Sequence, residues 1–325
     1  MVPILLGVMV ITFLLFFVVN TPQQMARQTL GVKAPKQQLD QWLVNRGYAY
    51  PAAEPGGDPI PVPKFINTLS GKNPFDSLLV HTIRDLAMFR LGTSNATNEP
   101  IAEKLKRGMG PSLMITLPAF LLGTFLAIVI SLFLVFLRES LLDRWGVAIC
   151  VALMSIPITV YVIFCQWVAS NSLSLFPAFG YNLEGFSTAR FLALPVAVIV
   201  LSGVGGSVRL YRTIFLEEIR ADFVRTAYAK GVSNSRVLFV HVLKNGMISI
   251  VTLVVAALPS LILGTLVVES FFGIPGLGDI MSTAIHTQDY PVIMADVYIG
   301  SVLYLIGLML TDICYAAVDP RIRLQ

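Results

Sequence analysis

Residues that could perform chemistry are few and far apart in this chain. The three histidines, His81, His241 and His286, are widely separated in the sequence, and no H-E-x-x-H or G-x-S-x-G motif accompanies them. The chain also has no G-x-x-x-x-G-K-[ST] phosphate-binding loop. The sequence therefore predicts no catalytic residue, no metal site and no cofactor. We do not expect an enzyme, and any ATP-driven step would need another polypeptide.

Three acidic side chains lie near the ends of long apolar segments. Glu269 follows one such segment, and Asp296 lies near the start of the last one, which holds Asp312 near its other end. Ionisable side chains in membrane segments commonly mark a pathway, because burying a charge in hydrocarbon is costly. Glu269 and Asp296 are therefore candidate substrate-pathway residues. A position among lipid headgroups or a pair with a neighbouring helix is the alternative.

The most highly charged interior stretch, Arg209 to Gly246, separates two apolar blocks. Apolar residues recur in it at helical spacing, with charged residues between them: Phe215, Ile219, Phe223, Val224 and Ala227. Lys230 and Gly231 are typical of a helix end, and Ser233 to Ser235 can cap a second short helix beginning near Arg236. Its apolar face would hold Val237, Leu238 and Val240. We predict helix, glycine turn and helix, in water between two membrane spans.

This stretch resembles the cytoplasmic EAA loop of ABC importer permeases. The similarity lies in Thr226-Ala227-Tyr228-Ala229-Lys230-Gly231 and, after nine residues, His241-Val242-Leu243-Lys244-Asn245. It looks most like the form in the oligopeptide/dipeptide/nickel (B-type) permease family, in which Arg-Thr-Ala, here residues 225–227, often replaces Glu-Ala-Ala. Ser249 stands where that family often has proline. The rest of the chain is similar to the same family, including residues 90–105, 269–279 and 319–321, except for roughly residues 24–72.

The resemblance implies an importer permease that pairs with a homologous second permease, two ATP-hydrolysing subunits and an extracytoplasmic binding protein. Seven residues are expected to couple the chain to an ATPase: Arg225, Thr226, Ala227, Ala229, Lys230, Gly231 and Arg236. The small Ala227 and Ala229 would seat the helix in a groove of the ATPase, and Gly231 would set the turn. The basic side chains would pair with acidic groups around that groove.

The composition predicts an integral membrane protein. The 325 residues are 55% hydrophobic and only 13% charged, with a mean hydropathy of +0.75. The net charge of +4 fits the cytoplasmic loops of a bacterial inner-membrane protein, so no nucleic-acid partner is expected. Cys150, Cys165 and Cys314 lie in apolar segments without a C-x-x-C pair, which favours buried thiols over disulfides or zinc ligands.

Six apolar segments are long enough to cross a membrane: residues 2–19, 111–137, 145–169, 191–208, 247–268 and 292–318. Segments 138–144, 209–246 and 319–325 hold 11 Lys and Arg in total, whereas 170–190 and 271–291 hold only Arg190. The positive-inside rule then places both termini in the cytoplasm. The expected fold is all-α and polytopic, with a first helix (1–19), an extracytoplasmic lobe (20–110) and a five-helix permease domain (111–325) containing the coupling loop 209–246.

The predicted function is that of an ABC importer permease subunit forming half of a pathway for peptides. Nickel chelates, glycosides and peptide antibiotics are alternative substrates within the same family. A self-sufficient secondary transporter is the alternative outside it, and would need ionisable residues at mid-membrane and broken helices in paired halves. The lobe is expected to touch the binding protein or to cover the pathway entrance.

Overall fold

The computed structural model describes residues 2–19, 21–31, 33–52, 58–64, 77–181 and 186–318. They divide into two compact units. The first unit contains residues of Met1–Lys106 and Met281–Val302, and the second those of Arg107–Ile280 and Leu303–Gln325. The predicted cytoplasmic C terminus, residues 319–325, lies outside the described residues.

The described secondary structure is almost entirely helical. The first part of the chain forms α1 (Val2–Val19), α2 (Pro22–Leu30), α3 (Lys36–Asn45), β1 (Ala49–Tyr50), β2 (Ile60–Pro61) and α4 (Leu78–Ala87). The rest forms α5 (Ile101–Phe136), α6 (Leu141–Ser155), α7 (Ile158–Cys165), α8 (Phe186–Ile219), α9 (Asp222–Ala229), α10 (Asn234–Arg236), α11 (Leu243–Ala257), α12 (Leu266–Phe272), α13 (Leu277–His286) and α14 (Tyr290–Val318). π-Helical turns follow α7 (Gln166–Ser172) and α10 (Val237–Val242), and a 3₁₀ turn (Leu258–Leu261) follows α11. The all-α prediction is confirmed apart from one short β-ribbon.

The predicted lobe contains a small packed core in the first unit. Thr21 starts α2 with a capping box, because its hydroxyl accepts the Gln24 N–H (3.3 Å) while its own N–H donates to Gln24 Oε1 (2.9 Å). Ala26, Leu43 and Ala49 are buried together where α2, α3 and β1 meet. The β-ribbon is antiparallel, with Ala49 opposite Pro61. No sequence pattern had indicated this core.

The segment that leads out of the lobe contains two helices. Apolar residues recur at helical spacing between Phe75 and Phe89, and α4 lies within this stretch, with its first turn capped by the Ser77 hydroxyl; residues 75 and 76 lie outside the described residues. α5 begins at Ile101 and continues through Pro111. The helix is therefore continuous across the predicted boundary between lobe and second span.

The predicted third span, residues 145–169, is not a straight helix. Helices Leu141–Ser155 and Ile158–Ser170 meet at an angle of 93°. The cause lies in the chain between them, because Pro157 has no N–H to donate and its ring disfavours helical backbone at the residue before it. Ile156 is accordingly extended (φ −89°, ψ 125°). The helix in the predicted third span is therefore broken at this proline, and it stays a prediction that the bent pair crosses the membrane as one span.

The predicted fifth span, residues 247–268, has different limits in the structure. One helical run extends from Asn234 to Leu261, so the expected second short helix is the first part of this run. The helix continues through Ser249, where the family often has proline. It ends in the 3₁₀ turn containing Pro259, and the chain turns at Gly264 (φ +71°) before α12.

Small residues let α6 and α8 approach closely in the second unit. A Cβ added to Gly205 would lie 2.5 Å from the Cys150 carbonyl oxygen, which is shorter than any real contact. Nothing lies within 4 Å of the corresponding position on Gly206 or Gly203. Gly205 is therefore the one of these three glycines at which the two helices pack closely.

Four described helices are long and apolar enough to cross a membrane: Ile101–Phe136, Ala189–Ile219, Asn234–Leu261 and Tyr290–Cys314. Two bent pairs pass the same test together, namely the α6–α7 pair and Pro3–Phe17 with Pro22–Leu30, which meet at 64°. The count is six if each bent pair is one span. A polytopic membrane protein is thus confirmed, and six spans stay a prediction.

Candidate functional site

The charged stretch folds as a helix, a glycine turn and a second helix, but its first helix is shorter than expected. α8 continues to Ile219, and the chain is extended at Ala221 (φ −67°, ψ 152°) before α9 begins at Asp222. The N–H groups of Arg220 and Ala221 each donate to the carbonyl three residues earlier (3.1 Å), which tightens the last turn of α8. The predicted single helix over residues 215–227 is therefore wrong.

The turn after α9 is fixed by backbone hydrogen bonds. Gly231 has φ +77°, as its place after Lys230 predicted. Its N–H donates to the Tyr228 carbonyl (2.9 Å), and the Val232 N–H donates to the Ala227 carbonyl (3.2 Å). These two bonds form a Schellman motif, which satisfies carbonyls that the helix end would leave free.

The inner face of α9 packs into the protein's own core. Val224 and Ala227 are 1% and 7% exposed, and they belong to the same apolar cluster as Phe215, Val237 and Leu238. Ala227 was predicted to seat in a groove of a partner, and this is wrong because its methyl group is not accessible. Its small size instead lets α9 approach the helix that follows.

The outer face of α9 and its turn is exposed. Six of the seven predicted coupling residues lie there: Arg225, Thr226, Ala229, Lys230, Gly231 and Arg236. Two aromatic side chains, Phe223 and Tyr228, lie on the same helix and are 37% and 41% exposed. We call these eight residues the α9 surface. Phe223 was expected on the buried face, but the break at Ala221 changes the helical phase.

Tyr228 joins the two helices across the glycine turn. Its hydroxyl donates to Asn234 Oδ1 at 2.6 Å, so the end of α9 is tied to the start of α10. In the π-helical turn beyond, three side chains are buried: Val237, Leu238 and Val242. Val240, predicted to be on the apolar face, is 49% exposed because the wider turn shifts the spacing of the inward positions.

An ion pair that was not predicted lies next to this region. Arg212 Nε donates to Asp143 Oδ1 (3.0 Å) and Arg212 Nη2 donates to Asp143 Oδ2 (2.8 Å). The side chains are 22% and 7% exposed. Asp143 lies in the first turn of α6, where its N–H bonds the capping Ser140 hydroxyl (3.2 Å). The pair therefore fixes the last turns of α8 to the start of α6.

Glu269, a predicted pathway residue, is fully buried in the second unit (0% exposed). Its Oε1 accepts the Ser112 hydroxyl (2.9 Å) and the Thr265 N–H (2.8 Å). Its Oε2 accepts the N–H groups of Gly278 (2.7 Å) and Asp279 (3.3 Å). The carboxylate thus ties α5, α12 and the start of α13 together. This is a structural role that the sequence did not predict, and contact with substrate stays a prediction.

The glycines of this loop leave room for the Glu269 carboxylate. A Cβ on Gly264 or Gly276 would collide with a Glu269 oxygen and with Ser112 Oγ. Ser112 Oγ also accepts the Leu277 N–H at 2.8 Å. In the same loop, α12 ends at Gly273, which is in the left-handed region (φ +66°).

Asp296, the other predicted pathway residue, lies in α14 within the first unit and is half-buried. Asp312 is exposed further along the same helix. Pathway contact by Asp296 stays a prediction. Within the described part of the chain, no group of three or more His, Cys, Asp or Glu side chains is close enough to hold a metal ion.

Comparison with known proteins gives a family match over most of the predicted permease domain. Residues 119–324 match the family model described as "Binding-protein-dependent transport system inner membrane component". The chain is 29% identical over 245 residues to the dipeptide transport system permease protein DppB of Bacillus subtilis, covering 75% of this chain and 78% of that protein. It is 29% identical over 243 residues to the glutathione transport system permease protein GsiC of Salmonella typhimurium, with coverages of 75% and 78%.

A solved structure has a similar fold. The inward-facing MetNI methionine ABC transporter aligns with a TM-score of 0.53 at 16% identity, over 68% of this chain and 99% of the matched chain. This likeness concerns the fold alone. The family match, which covers more than half of the sequence, and the named relatives identify the chain as a member of the family of inner-membrane components of binding-protein-dependent transport systems, a permease subunit of an ABC importer.

Proposed function

We propose that this permease forms half of a pathway for short peptides and that an ATPase docks on the α9 surface. What supports the docking role is that six of the seven predicted coupling residues share one exposed face, while the opposite face of α9 is buried. Arg225, Lys230 and Arg236 give this face a positive charge, and two exposed aromatic residues accompany them. Aromatic and arginine side chains are the residues that most often anchor protein interfaces.

The α9 surface is held firmly enough to transmit force. The Schellman turn and the Tyr228–Asn234 hydrogen bond fix α9 to α10, and α10 is continuous with the long helix Asn234–Leu261. On the other side, α8 is held to α6 by Arg212 and Asp143. A displacement of α9 by an ATPase would therefore move whole spans as rigid bodies, as alternation between inward- and outward-facing states requires.

The partners are a second, homologous permease, two ATPase subunits and an extracytoplasmic binding protein. Both termini would lie in the cytoplasm with the α9 surface, and the lobe within residues 20–110 would lie outside, since positive charge is concentrated in the segments assigned to the inside. The lobe would contact the binding protein. ATP hydrolysis belongs to the partner subunits, because the sequence has no phosphate-binding loop.

Short peptides are the proposed substrates because the matched relatives include proteins named for dipeptide and glutathione transport. Nickel chelates, glycosides and peptide antibiotics are the alternatives in the same family. Asp296, half-buried in α14, and the fully buried Glu269 are the two candidate pathway residues.

The docking role can be tested by reversing charge on the α9 surface. The variant Arg225→Glu with Lys230→Glu should insert and fold, because both residues are exposed, but should bind the ATPase about tenfold more weakly in a pull-down from nanodiscs. Arg27→Glu with Lys33→Glu makes the same charge change on the exposed lobe and should not alter ATPase binding. Equal ATPase binding by wild type and both double variants would overturn the docking role.

A transport assay separates this proposal from a secondary transporter. Proteoliposomes with the permeases, ATPases and binding protein should accumulate a labelled dipeptide only when ATP is present on the ATPase side. Uptake by the permeases alone, driven by a proton or sodium gradient, would instead establish the secondary transporter. Uptake of a nickel chelate in place of the dipeptide would leave the ABC mechanism intact and replace the substrate.

A further inference from the structure

A tight turn in the first unit, residues 93–98, is held from two sides. The Ser94 N–H donates to the Glu99 carbonyl (2.9 Å) and the Asn98 N–H donates to the Ser94 carbonyl (3.1 Å), with Asn98 in the left-handed region (φ +57°). Thr93 pairs with Pro100 in an isolated β-bridge. We call residues 93–98 the clamped turn. It immediately precedes α5.

Asp289 holds one side of the clamped turn. Its carboxylate is 1% exposed and accepts the Ser94 hydroxyl, the Asn95 N–H (2.9 Å) and the Ala96 N–H (3.4 Å). Its own backbone is fixed just before α14, because its carbonyl accepts the Ile293 N–H (3.1 Å). A buried carboxylate is stable only with such donors, so the turn and the start of α14 are firmly joined.

Arg46, which ends α3 in the lobe, holds the other side. Its Nη1 donates to the Thr93 carbonyl (3.0 Å) and hydroxyl (2.6 Å), and its Nη2 donates to the Ser94 carbonyl (3.0 Å) and Asn98 Oδ1 (2.5 Å). The guanidinium carbon lies 5.8 Å from the centre of the Trp42 ring. A planar fork with fixed donors suits several acceptors on one turn, whereas a lysine ammonium does not.

These contacts join the part of the chain that has no family resemblance to the part that has it. Arg46 belongs to residues 24–72, and the clamped turn and Asp289 belong to segments similar to the permease family. Another ion pair in the lobe, Lys36 with Asp58 (2.6 Å), has side chains that are 70% and 73% exposed and links α3 only to the segment before β2. Arg46 therefore connects α3 to the clamped turn, and Asp289 connects the clamped turn to the start of α14.

We propose that Arg46 and Asp289 are positioning residues for transport: through the clamped turn they pass to α14 the load that a docked binding protein places on the lobe. This inference depends on the proposed contact between lobe and binding protein. α14 is one of the apolar helices long enough to cross a membrane. A displacement of its first turn would therefore move a membrane-spanning helix directly. Removing the contacts of either Arg46 or Asp289 should leave docking of the binding protein intact but reduce its stimulation of ATP hydrolysis.

The test uses the complete transporter in nanodiscs and measures ATP hydrolysis against the concentration of its purified binding protein. With Arg46→Ala or Asp289→Asn, the maximal stimulated rate should fall about fivefold or more, because a coupling between two sites is lost. The basal rate and the half-saturating concentration of binding protein should stay at wild-type values. Arg46→Lys should behave like Arg46→Ala, since it keeps the charge but not the fork, and Lys36→Gln should behave like wild type.

A chemical link provides the rescue. In a background with Cys150, Cys165 and Cys314 replaced by alanine, Arg46→Cys with Asn98→Cys should lose stimulation and should regain it when a short bismaleimide joins the two thiols. Wild-type stimulation in both single variants, or no gain on cross-linking, would overturn the inference. A parallel loss of basal and stimulated rates would also overturn it, since that indicates a purely structural role.

A separate experiment tests the proposed contact between the lobe and the binding protein. Cross-linking of the binding protein to a photoreactive residue placed at exposed Arg27 should succeed in wild type and in Arg46→Ala. If wild type gives no cross-link, and the clamp variants keep wild-type stimulation, the proposed contact of the lobe is wrong. If the cross-link forms and stimulation persists without the clamp, only the role of Arg46 and Asp289 is wrong.

Discussion

Ala227 and Ala229 lie two positions apart on α9 and face opposite ways. Ala227 is 7% exposed and packs among Phe215, Val237 and Leu238, whereas Ala229 is exposed on the α9 surface. Residues two apart on a helix do not share a face. One alanine therefore belongs to the core of the protein, and only the other is available to a partner.

The same substitution at these two alanines should separate folding from docking. Ala227→Arg would bury a guanidinium without a partner and should cost more than about 3 kcal/mol of folding free energy, enough to prevent a monodisperse protein on size exclusion. Ala229→Arg should give a folded protein that binds the ATPase about tenfold more weakly in a pull-down. A folded Ala227→Arg protein would contradict the inward orientation.

The backbone conformation of the docking region was predictable where a single residue type determines it. Gly231 after a basic helix end predicted the turn, and the turn is there. The break at Ala221 carries no such signal, because alanine favours helix and no proline or glycine is nearby. Pro157 did signal the 93° bend, but the apolar run around it favoured an uninterrupted span.

The roles of the buried carboxylates were not predictable, because their partners are distant in sequence. Asp289 binds residues 94–96, and Glu269 binds Ser112 as well as its near neighbours. A sequence shows that a charge lies beside an apolar segment, but not whether it faces a pathway or a backbone loop. Glycines at 264 and 276, where a Cβ would collide with the Glu269 carboxylate, are a local sign that a side chain has to fit there.

Removing only one partner of the Arg212–Asp143 ion pair should destabilise the protein more than removing both partners. Arg212→Met leaves the carboxylate of Asp143 in the interior without its cation and should destabilise the protein by about 3 kcal/mol, measured as the midpoint of thermal unfolding in detergent. Asp143→Leu with Arg212→Met should recover most of that loss. Arg225→Met removes an exposed pair with Asp222 and should change stability by less than about 1 kcal/mol. Equal destabilisation by Arg212→Met and Arg225→Met would show that burial does not matter here.

Adjacent glycines on α8 provide a matched test of helix packing. Gly205→Leu places side-chain atoms against the Cys150 carbonyl and should separate α6 from α8, at a cost of about 2 kcal/mol or more. Gly206→Leu meets no atom within 4 Å of its Cβ and should be neutral or slightly stabilising, since leucine is the better helix former. Thermal unfolding and transport rate should both rank the two variants in this order. The reverse order would place the α6–α8 contact elsewhere.

Glu269 should tolerate neither loss of charge nor loss of its hydroxyl partner. Four donors surround its two oxygens, so in Glu269→Gln the amide nitrogen must face two of those donors instead of accepting from them. We expect a loss of about 3 kcal/mol in unfolding free energy. Ser112→Ala should cost about 2 kcal/mol, because the Leu277 N–H then loses its acceptor. Glu103→Gln, the same change at an exposed position in the first turn of α5, should cost less than about 1 kcal/mol. If Glu269→Gln unfolds like wild type yet abolishes uptake of peptide, the carboxylate acts on substrate and not on the loop.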